Sequence, residues 1–251
     1  MPRYFLELAY KGTQYSGFQI QQNAATIQSE VENALQILLR KKIKLTGSSR
    51  TDAGVHALQN FFHFDFDGLL GEEETYHLNA ILSQDISVKN IFIMEDNCHC
   101  RFDAVAREYK YYIYQNKNPF YVDRAWFYPY KLNVDLLHQA AGAVLHYTNF
   151  TSFCKRNTQV NNFNCNIQFS GWEQQNNFLV YTVCANRFLR GMVRGLVGTM
   201  LKLAREKFSL QDFKNIIEAK NCTQADFSTP PQGLFLVKVI YPENYFQHNR
   251  H

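Results

Sequence analysis

Hydrophobic and polar positions follow different periods along the chain, and the changes of period predict its first elements. Arg3 to Tyr10 is a short aromatic and aliphatic run that ends at Lys11-Gly12-Thr13, which predicts a strand and then a turn. Thr26 is a predicted N-cap, and apolar positions recur after it at helical spacing until the basic run Arg40-Lys41-Lys42. Ile43 to Thr46 is predicted to be a strand, so the chain opens with strand, helix and strand.

A polar loop from Gly47 to His56 comes next and separates two apolar segments. From Asn60 to Phe66 a phenylalanine stands at every second position, with polar residues such as His63 between them, which predicts a half-buried strand. A weaker helix over Glu72–Leu82 and a strand over Ile86–Met94 follow. The order of the first half is therefore β-α-β-β-α-β.

The pattern becomes irregular around residues 98–106, which predicts a boundary between a first half, residues 1–104, and a second half, residues 105–251. In the second half, strands are predicted over Glu108–Gln115, Asn164–Glu173, Phe178–Ala185 and Gly233–Tyr241, and helices over Val134–Leu145, Phe188–Arg205 and Ser209–Glu218. Because helices and strands mix in both halves, an α+β fold with a largely antiparallel sheet is favoured over a doubly wound parallel sheet.

Composition limits the functional classes without choosing among them. The 251 residues are 46% hydrophobic and 19% charged, as is usual for a globular protein with a sizeable core. The aromatic share of 15% suits both sheet cores and the stacking of nucleic-acid bases. The net charge of +4 is below the strongly basic profile that would by itself indicate a nucleic-acid partner. Whether the partner is a nucleic acid must therefore be judged from the positions of the charged residues.

Cysteine usage and apolar stretches bear on the compartment and on metal binding. The six cysteines are scattered and follow no recognisable secretory leader, so we expect a reducing, cytoplasmic compartment. The longest apolar stretch, Phe188–Met200, contains Arg190 and Arg194 and falls short of the roughly 20 residues of a membrane span. Cys98-His99-Cys100 suggests a metal site, but zinc sites usually need a second, distant pair of ligands. We therefore expect no metal and assign these residues to the core or surface.

The loop Gly47–His56 holds the densest group of reactive side chains, and loops held by rigid strands are favoured places for catalysis. An isolated Asp52-Ala53-Gly54 would more simply be a turn whose carboxylate caps backbone amides. The longer run, however, resembles the active-site signature of the TruA-type tRNA pseudouridine synthases: Arg50-Thr51-Asp52-Ala53-Gly54-Val55-His56-Ala57. A match of this length is specific.

Further segments are similar to the same family. Tyr10–Gln19 resembles its glycine-rich first loop, from which Lys11 and Phe18 depart. Arg101–Ala104 and Arg107–Tyr111 resemble the family's Arg-Phe-x-Ala and Arg-x-Tyr-x-Tyr segments. Phe188–Arg194 and Gly233–Val237 resemble, respectively, a helix that carries an arginine and the closing strand. The resemblance therefore extends across most of the chain.

The resemblance implies a role for four residues. Asp52 would be the catalytic carboxylate and Arg194 its cationic partner, Tyr109 would lie against the target base, and Arg50 would position a phosphate or hold the space that the base vacates. It also implies two similar halves joined through a continuous sheet, a central basic cleft, a homodimer and no cofactor. The implied substrate is tRNA, at uridines 38 to 40 of the anticodon stem-loop.

The chemistry needs these residue types. Isomerising uridine breaks the N1–C1′ bond, rotates the base and rejoins it through C5, so an ionised carboxylate near C1′ or C6 suits either direct attack or a glycal route. A neighbouring cation lowers a carboxyl pKa by about 1–3 units. Arg187, Arg190 and Arg194 are predicted to share one helix face opposite an apolar face, which would line a cleft. Stacking on Tyr109 would return about 1–3 kcal/mol per base against the cost of extraction.

Simpler interpretations exist for each residue. Arg194 and Arg50 would be solvated surface, Tyr109 one more strand tyrosine, and His56 a loop residue that hydrogen-bonds the backbone. Two other functions are consistent with parts of the pattern. One is a non-catalytic RNA-binding or tRNA-folding protein, and the other is a carboxylate hydrolase of nucleosides or glycosides, which would need a second acid at the site. Since a binder gains little from a carboxylate among phosphates, the set that includes Asp52 favours the isomerase.

Overall fold

The computed structural model describes residues 1–156 and 160–248, and in them helices mix with mostly antiparallel strands. The strands are β1 (Arg3–Tyr10), β2 (Thr46–Gly47), β3 (His56–Asp65), β4 (Ile86–Met94), β5 (Ala106–Tyr114), β6 (Trp126–Phe127), β7 (Ile167–Gln175), β8 (Phe178–Ala185) and β9 (Leu234–Ile240). The helices are α1 (Ile27–Leu39), α2 (Glu72–Ile81), α3 (Val134–Val144), α4 (Met192–Ala204), α5 (Leu210–Glu218) and α6 (Tyr245–His248). The predicted α+β class is confirmed.

The chain forms two compact units. The first contains Met1–Ala106 and the chain from Phe235 onward, and the second contains Arg107–Leu234. The division of the sequence at residues 104 and 105 stays a prediction, and the units differ from it by grouping β9 with the first strands. The reason is pairing between distant residues, since β9 runs parallel to the start of β3, with His56 opposite Phe235.

The first unit is built on the strand order β4-β1-β3-β9, in which β1 is antiparallel to both β3 and β4. The short strand β2 pairs with the middle of β3. The prediction that β3 is half-buried is wrong, because His63 between the phenylalanines is only 7% exposed. Phe62 stacks on Phe18, and Phe61 on the opposite face of the strand stacks on Phe246. Both faces of β3 are therefore covered.

Helix α1 begins as predicted, whereas the strand expected after it does not form at Ile43. The side chain of Thr26 accepts a hydrogen bond from the backbone of Ser29, which caps the helix. After the helix, the backbone N–H of Leu45 donates to Glu32 of α1 and its carbonyl accepts from the Gln28 side chain, both at 3.0 Å. These side chains occupy the groups that strand pairing would use, so β2 is confined to Thr46–Gly47.

The second unit has β5, β8 and β7 in antiparallel order, with β6 parallel to β5. Helices α3 and α4 pack together, and Trp172 of β7 contacts Met200 of α4. The predicted start of α4 at Phe188 is wrong, because Gly191 adopts a left-handed backbone conformation with φ of 74° and the helix begins only at Met192. No helix in residues 1–156 or 160–248 is long and apolar enough to cross a membrane.

Candidate active site

Asp52 lies in the loop between β2 and β3, in a turn closed by its own backbone. Its carbonyl accepts from the Val55 N–H at 3.1 Å, and Gly54 supplies the positive φ of 76°. The Asp52 side chain is half-buried and Arg50 is exposed. Within the described ranges no backbone N–H donates to the Asp52 carboxylate. The turn is therefore made without the capping role that the simpler interpretation gave to this side chain.

The glycine-rich segment after β1 packs directly against this loop. Phe18 donates its backbone N–H to the Thr51 carbonyl at 3.1 Å. Gly17 has a φ of 105°, and a β-carbon there would come within 3.1 Å of the same carbonyl oxygen. A β-carbon at Gly12 would overlap the carbonyl of Val55. Both glycines are needed because two backbones approach each other too closely for a side chain.

Phe18 departs from the family pattern and lies beneath the loop instead of on its surface. It is 2% exposed and stacks on Phe62 with ring centroids 4.5 Å apart. A β-carbon at Gly47 would overlap its ring. Phe18 is thus part of the hydrophobic floor under the loop.

Three buried polar residues support the loop from below, and sequence reasoning assigned them no role. The hydroxyls of Tyr10 and Thr51 are 2.8 Å apart, and Asn60 donates to the Tyr10 hydroxyl at 3.1 Å. Burial raises the pKa of Tyr10 to about 12, so its hydroxyl keeps its proton at neutral pH. A polar residue at the centre of an apolar strand, such as Asn60 in β3, is the sequence signal that could have identified this group.

His56 hydrogen-bonds the backbone, as predicted. Its Nδ1 accepts from the Gly12 N–H at 3.1 Å, and its ring stacks on Phe235 at 4.5 Å. These contacts tie the start of β3 to the first loop and to β9.

Tyr109 lies in the part of β5 that belongs to the second unit. It is buried, and its ring meets Phe188 edge to face with centroids 5.0 Å apart. Two residues further on the same face, the buried Tyr111 donates its hydroxyl to the Pro230 carbonyl at 2.7 Å. Tyr109 and Tyr111 therefore each have a fixed partner on this face of β5, Phe188 and Pro230.

Arg194 lies in the first turn of α4, and it is held by its contacts. Its Nε donates to the Thr229 carbonyl at 2.6 Å, and the Thr229 hydroxyl donates to the Arg194 carbonyl at 2.7 Å. Burial raises the pKa of Tyr111, and the charge of Arg194 acts in the opposite direction. The interpretation of Arg194 as solvated helix surface is wrong, because its guanidinium is half-buried and oriented by Thr229.

The predicted basic helix face does not exist, because Arg187 and Arg190 precede the helix. In α4 itself only Arg194 and Lys202 are not buried. Arg190 is exposed and its carbonyl accepts from the backbone of Lys155 at 3.0 Å. The structure thus groups Arg190 with Lys155 and the neighbouring Arg156 in a basic cluster ahead of the helix.

The four predicted site residues are divided between the two units, two in each. Arg50 and Asp52 share the loop of the first unit, and Tyr109 and Arg194 belong to the second unit. Arg194 acts electrostatically on Tyr111, which shares a strand face with Tyr109. That these residues form one active site stays a prediction.

A second group of reactive side chains lies in the core of the first unit. One atom from each of His63, His99 and Cys100 lies within 4.8 Å of the others, close enough for metal ligands. However, His63 Nδ1 accepts from the Cys100 N–H at 3.3 Å. His99 Nδ1 accepts from the backbone N–H groups of Arg101 and Phe102 at 3.1 and 3.3 Å. A ligating histidine instead donates its second N–H. Burial lowers the pKa of His63 to about 4, which fits a neutral, hydrogen-bonded core residue.

Comparison with known proteins finds a matching family and relatives that are similar over almost the whole chain. The family model described as tRNA pseudouridine synthase matches residues 8–103 and 146–242, which include Asp52 and Arg194. The chain is 42% identical over 248 residues to tRNA pseudouridine synthase A of Parabacteroides distasonis, and this covers 98% of each. It is 44% identical over 248 residues to that of Bacteroides fragilis, again 98% of each. For Staphylococcus aureus MRSA252 the identity is 35% over 245 residues, 96% of this chain and 93% of that protein.

Proposed function

Since the chain belongs to the tRNA pseudouridine synthase family, we propose that it isomerises uridine to pseudouridine in tRNA, at positions 38 to 40 of the anticodon stem-loop. The observation that carries the proposal is similarity over 98% of the chain to proteins of that name, with the Asp52 signature inside the match. The position within tRNA rests on the resemblance of the motifs.

Asp52 is the proposed catalytic carboxylate. The reaction breaks N1–C1′ and forms C5–C1′, and the hydrogen that leaves C5 is balanced by one gained at N1, so no cofactor or redox partner is consumed. A half-buried carboxylate free of capping bonds suits either attack on carbon or assistance to a glycal route. Its loop is fixed on both sides by backbone hydrogen bonds, which favours a constant approach to the sugar.

Arg194 is the proposed cationic partner of Asp52, and Tyr109 the surface on which the extracted base stacks. The bond to Thr229 supports the first role, because a guanidinium held in one orientation can favour an ionised carboxylate. The packing of Tyr109 against Phe188 supports the second, because the ring is already ordered before a base arrives. Arg50, exposed on the catalytic loop, is proposed to contact a phosphate.

The basic cluster of Lys155, Arg156 and Arg190 is proposed to contact the tRNA backbone. In the described part of the chain, none of the three has a carboxylate within 4 Å. Unpaired cations are available to phosphates and release counterions on binding. Two similar halves joined through a continuous sheet, a central basic cleft, a homodimer and a cytoplasmic location are also part of the proposal.

Mapping of pseudouridine in tRNA tests the function. Unmodified anticodon-arm tRNA is incubated with the purified protein, and pseudouridine is located by chemical sequencing. We expect modification at uridines 38 to 40 without added cofactor, and none with Asp52→Asn. Tight tRNA binding without pseudouridine would instead indicate a non-catalytic RNA-binding or tRNA-folding protein.

A further inference from the structure

We propose that Tyr10, Thr51 and Asn60 are positioning residues for the reaction, because their buried hydrogen bonds fix the backbone that carries Asp52. The inference rests on the proposed function and adds residues to which that function assigns no role. Nothing in it requires these side chains to touch the substrate.

Asn60 extends strand pairing into the catalytic loop. Strand β2 pairs with β3 up to Gly47, and Ser48 still donates to the Phe61 carbonyl at 2.8 Å. At Ser49 the side chain of Asn60 replaces the partner strand. Its Nδ2 donates to the Ser49 carbonyl at 2.8 Å, and its Oδ1 accepts from the Ser49 N–H at 3.3 Å. The loop therefore leaves the sheet at a position set by one side chain.

The hydrogen-bonding capacity of that side chain is fully used. Nδ2 also donates to the Tyr10 hydroxyl at 3.1 Å, and Oδ1 also accepts from the Phe61 N–H at 2.9 Å. An amide offers two donor hydrogens and two acceptor lone pairs, and here all four have partners. Asn60 is 0% exposed, so no water can replace a lost bond without opening the core.

Tyr10 connects Asn60 to Thr51, the residue that precedes Asp52. Its hydroxyl lies 2.8 Å from that of Thr51, whose carbonyl accepts from the Phe18 N–H. Thr51 is thus held at its side chain from below and at its backbone from the first loop. Because Asp52 follows directly, its Cα can move little unless one of these bonds breaks.

Small displacements matter for this chemistry, since a misplacement of about 1 Å can cost on the order of 100-fold in rate. Binding of the tRNA backbone depends on cations elsewhere and should not need the same precision. Loss of one of these buried hydrogen bonds should therefore slow the bond rearrangement and leave the affinity for tRNA unchanged.

The test deletes one hydroxyl at a time. Tyr10→Phe and Thr51→Val each remove the contact between the two hydroxyls, and Thr51→Ser keeps it. We expect the single-turnover rate at saturating tRNA to fall about tenfold in the first two variants, as for the loss of about 1.4 kcal/mol. The tRNA Kd should stay within about twofold, and Thr51→Ser should remain near the wild-type rate. The double variant Tyr10→Phe/Thr51→Val should lose no more than Tyr10→Phe alone, because the bond that Thr51→Val removes is already absent in Tyr10→Phe.

A matched control separates positioning from general destabilisation. Tyr181 is also fully buried, and its hydroxyl lies 2.8 Å from that of Ser170 in the second unit. Tyr181→Phe should lower thermal stability about as much as Tyr10→Phe and leave the rate unchanged. The inference is overturned if Tyr10→Phe and Thr51→Val are no slower than this control, if Thr51→Ser is as slow as Thr51→Val, or if Kd weakens as much as the rate. A wild-type protein that makes no pseudouridine would overturn the proposed function as well, whereas an active wild type with unaffected variants overturns this inference alone.

Discussion

The loop that carries Asp52 and the helix start that carries Arg194 are held in different ways. The loop is irregular backbone fixed by many partners, namely the first loop, the Asn60 side chain and the Tyr10 hydroxyl. Arg194 belongs to a helix that is buried nearly all round, and within residues 1–156 and 160–248 its guanidinium makes one hydrogen bond, to Thr229. Regular secondary structure fixes the backbone of Arg194 and leaves the direction of its side chain to a single neighbour.

The contrast indicates which changes each region tolerates. Several bonds share the support of Asp52, so losing one should shift the carboxylate by a small amount. The guanidinium of Arg194 is held by the Thr229 carbonyl, which no side-chain substitution removes, so loss of the Thr229 hydroxyl should act on Arg194 only indirectly. Removal of either charged group should have much larger effects than removal of its support.

The largest effect is expected from Asp52→Asn, which keeps the shape of the side chain and removes its charge. The variant should fold normally and form no pseudouridine in a single-turnover assay. Its tRNA affinity should hold or rise slightly, because a negative charge facing polyanionic RNA is gone. Filter binding at several salt concentrations should show the same salt dependence as the wild type.

Asp67→Asn is the matched control, because it makes the same change at an exposed aspartate of the same unit. It should leave turnover unchanged. Pseudouridine formation at a near-normal rate by folded Asp52→Asn would contradict the catalytic assignment and leave Asp52 as an ordinary turn residue.

Arg194→Ala should have the next largest effect, lowering the single-turnover rate by roughly 100-fold with a smaller change in Kd. Without the proposed cation, the carboxylate of Asp52 loses the charge that favours its ionised form. Arg194→Lys should recover only part of the rate, because an ammonium lacks the planar fork of the guanidinium. Normal turnover by both variants, with weakened binding, would make Arg194 a phosphate contact instead.

Sequence patterns predicted those elements whose bounds are marked by local periodicity and capping residues. The bounds of β1, β4 and β8 match the predicted ones, and Thr26 caps α1 as expected. The start of α4 was predicted too early because helical apolar spacing already begins before Gly191. Only the left-handed backbone of Gly191 shows that the segment before Met192 is not part of the helix. The prediction of a basic helix face is wrong for the same reason, because it assumed that the helix begins before Arg190.

For the site, the motif located Asp52 but not the residues that hold it. Asn60 and Tyr10 are 50 positions apart and meet only through the pairing of β1 with β3. Thr229 reaches Arg194 across 35 positions. Such contacts depend on tertiary packing, which a local pattern does not contain.

The core below the catalytic loop should show a pH dependence of stability through His63. Burial holds its folded-state pKa at about 4, below the ordinary value of about 6.5. Between these two pH values the unfolded chain binds a proton that the folded protein does not, so the free energy of unfolding should fall as the pH drops from 6.5 to 4, by at most about 3 kcal/mol. Urea unfolding at pH 7 and pH 4.5 measures the change.

His63→Gln should flatten this dependence, whereas His138→Gln, which removes an exposed histidine of α3, should not. Equal slopes in the wild type and His63→Gln would assign the effect to other groups.

The smallest effect is expected where the support of Arg194 is loosened without removing its charge. Thr229→Val deletes the hydroxyl that donates to the Arg194 carbonyl and keeps the branched shape of a fully buried side chain. The Thr229 carbonyl still accepts from Arg194 Nε, so the guanidinium should stay in place with more freedom. We expect the single-turnover rate to fall about threefold to fivefold, as for the loss of up to about 1 kcal/mol.

Thr199→Val is the control for this change, because it removes an equally buried hydroxyl from α4 that does not contact Arg194. That hydroxyl donates to the Gly195 carbonyl at 2.7 Å and accepts from the Asp226 N–H at 3.0 Å, so the control also loosens the segment that carries Thr229. Both variants should lose similar thermal stability, and only Thr229→Val should slow turnover. Thr229→Ser, which retains the hydroxyl, should restore the rate. If Thr199→Val slows the reaction as much as Thr229→Val, the rate depends on the stability of the helix and its neighbouring segment as a whole, and the Thr229 hydroxyl has no specific role in supporting Arg194.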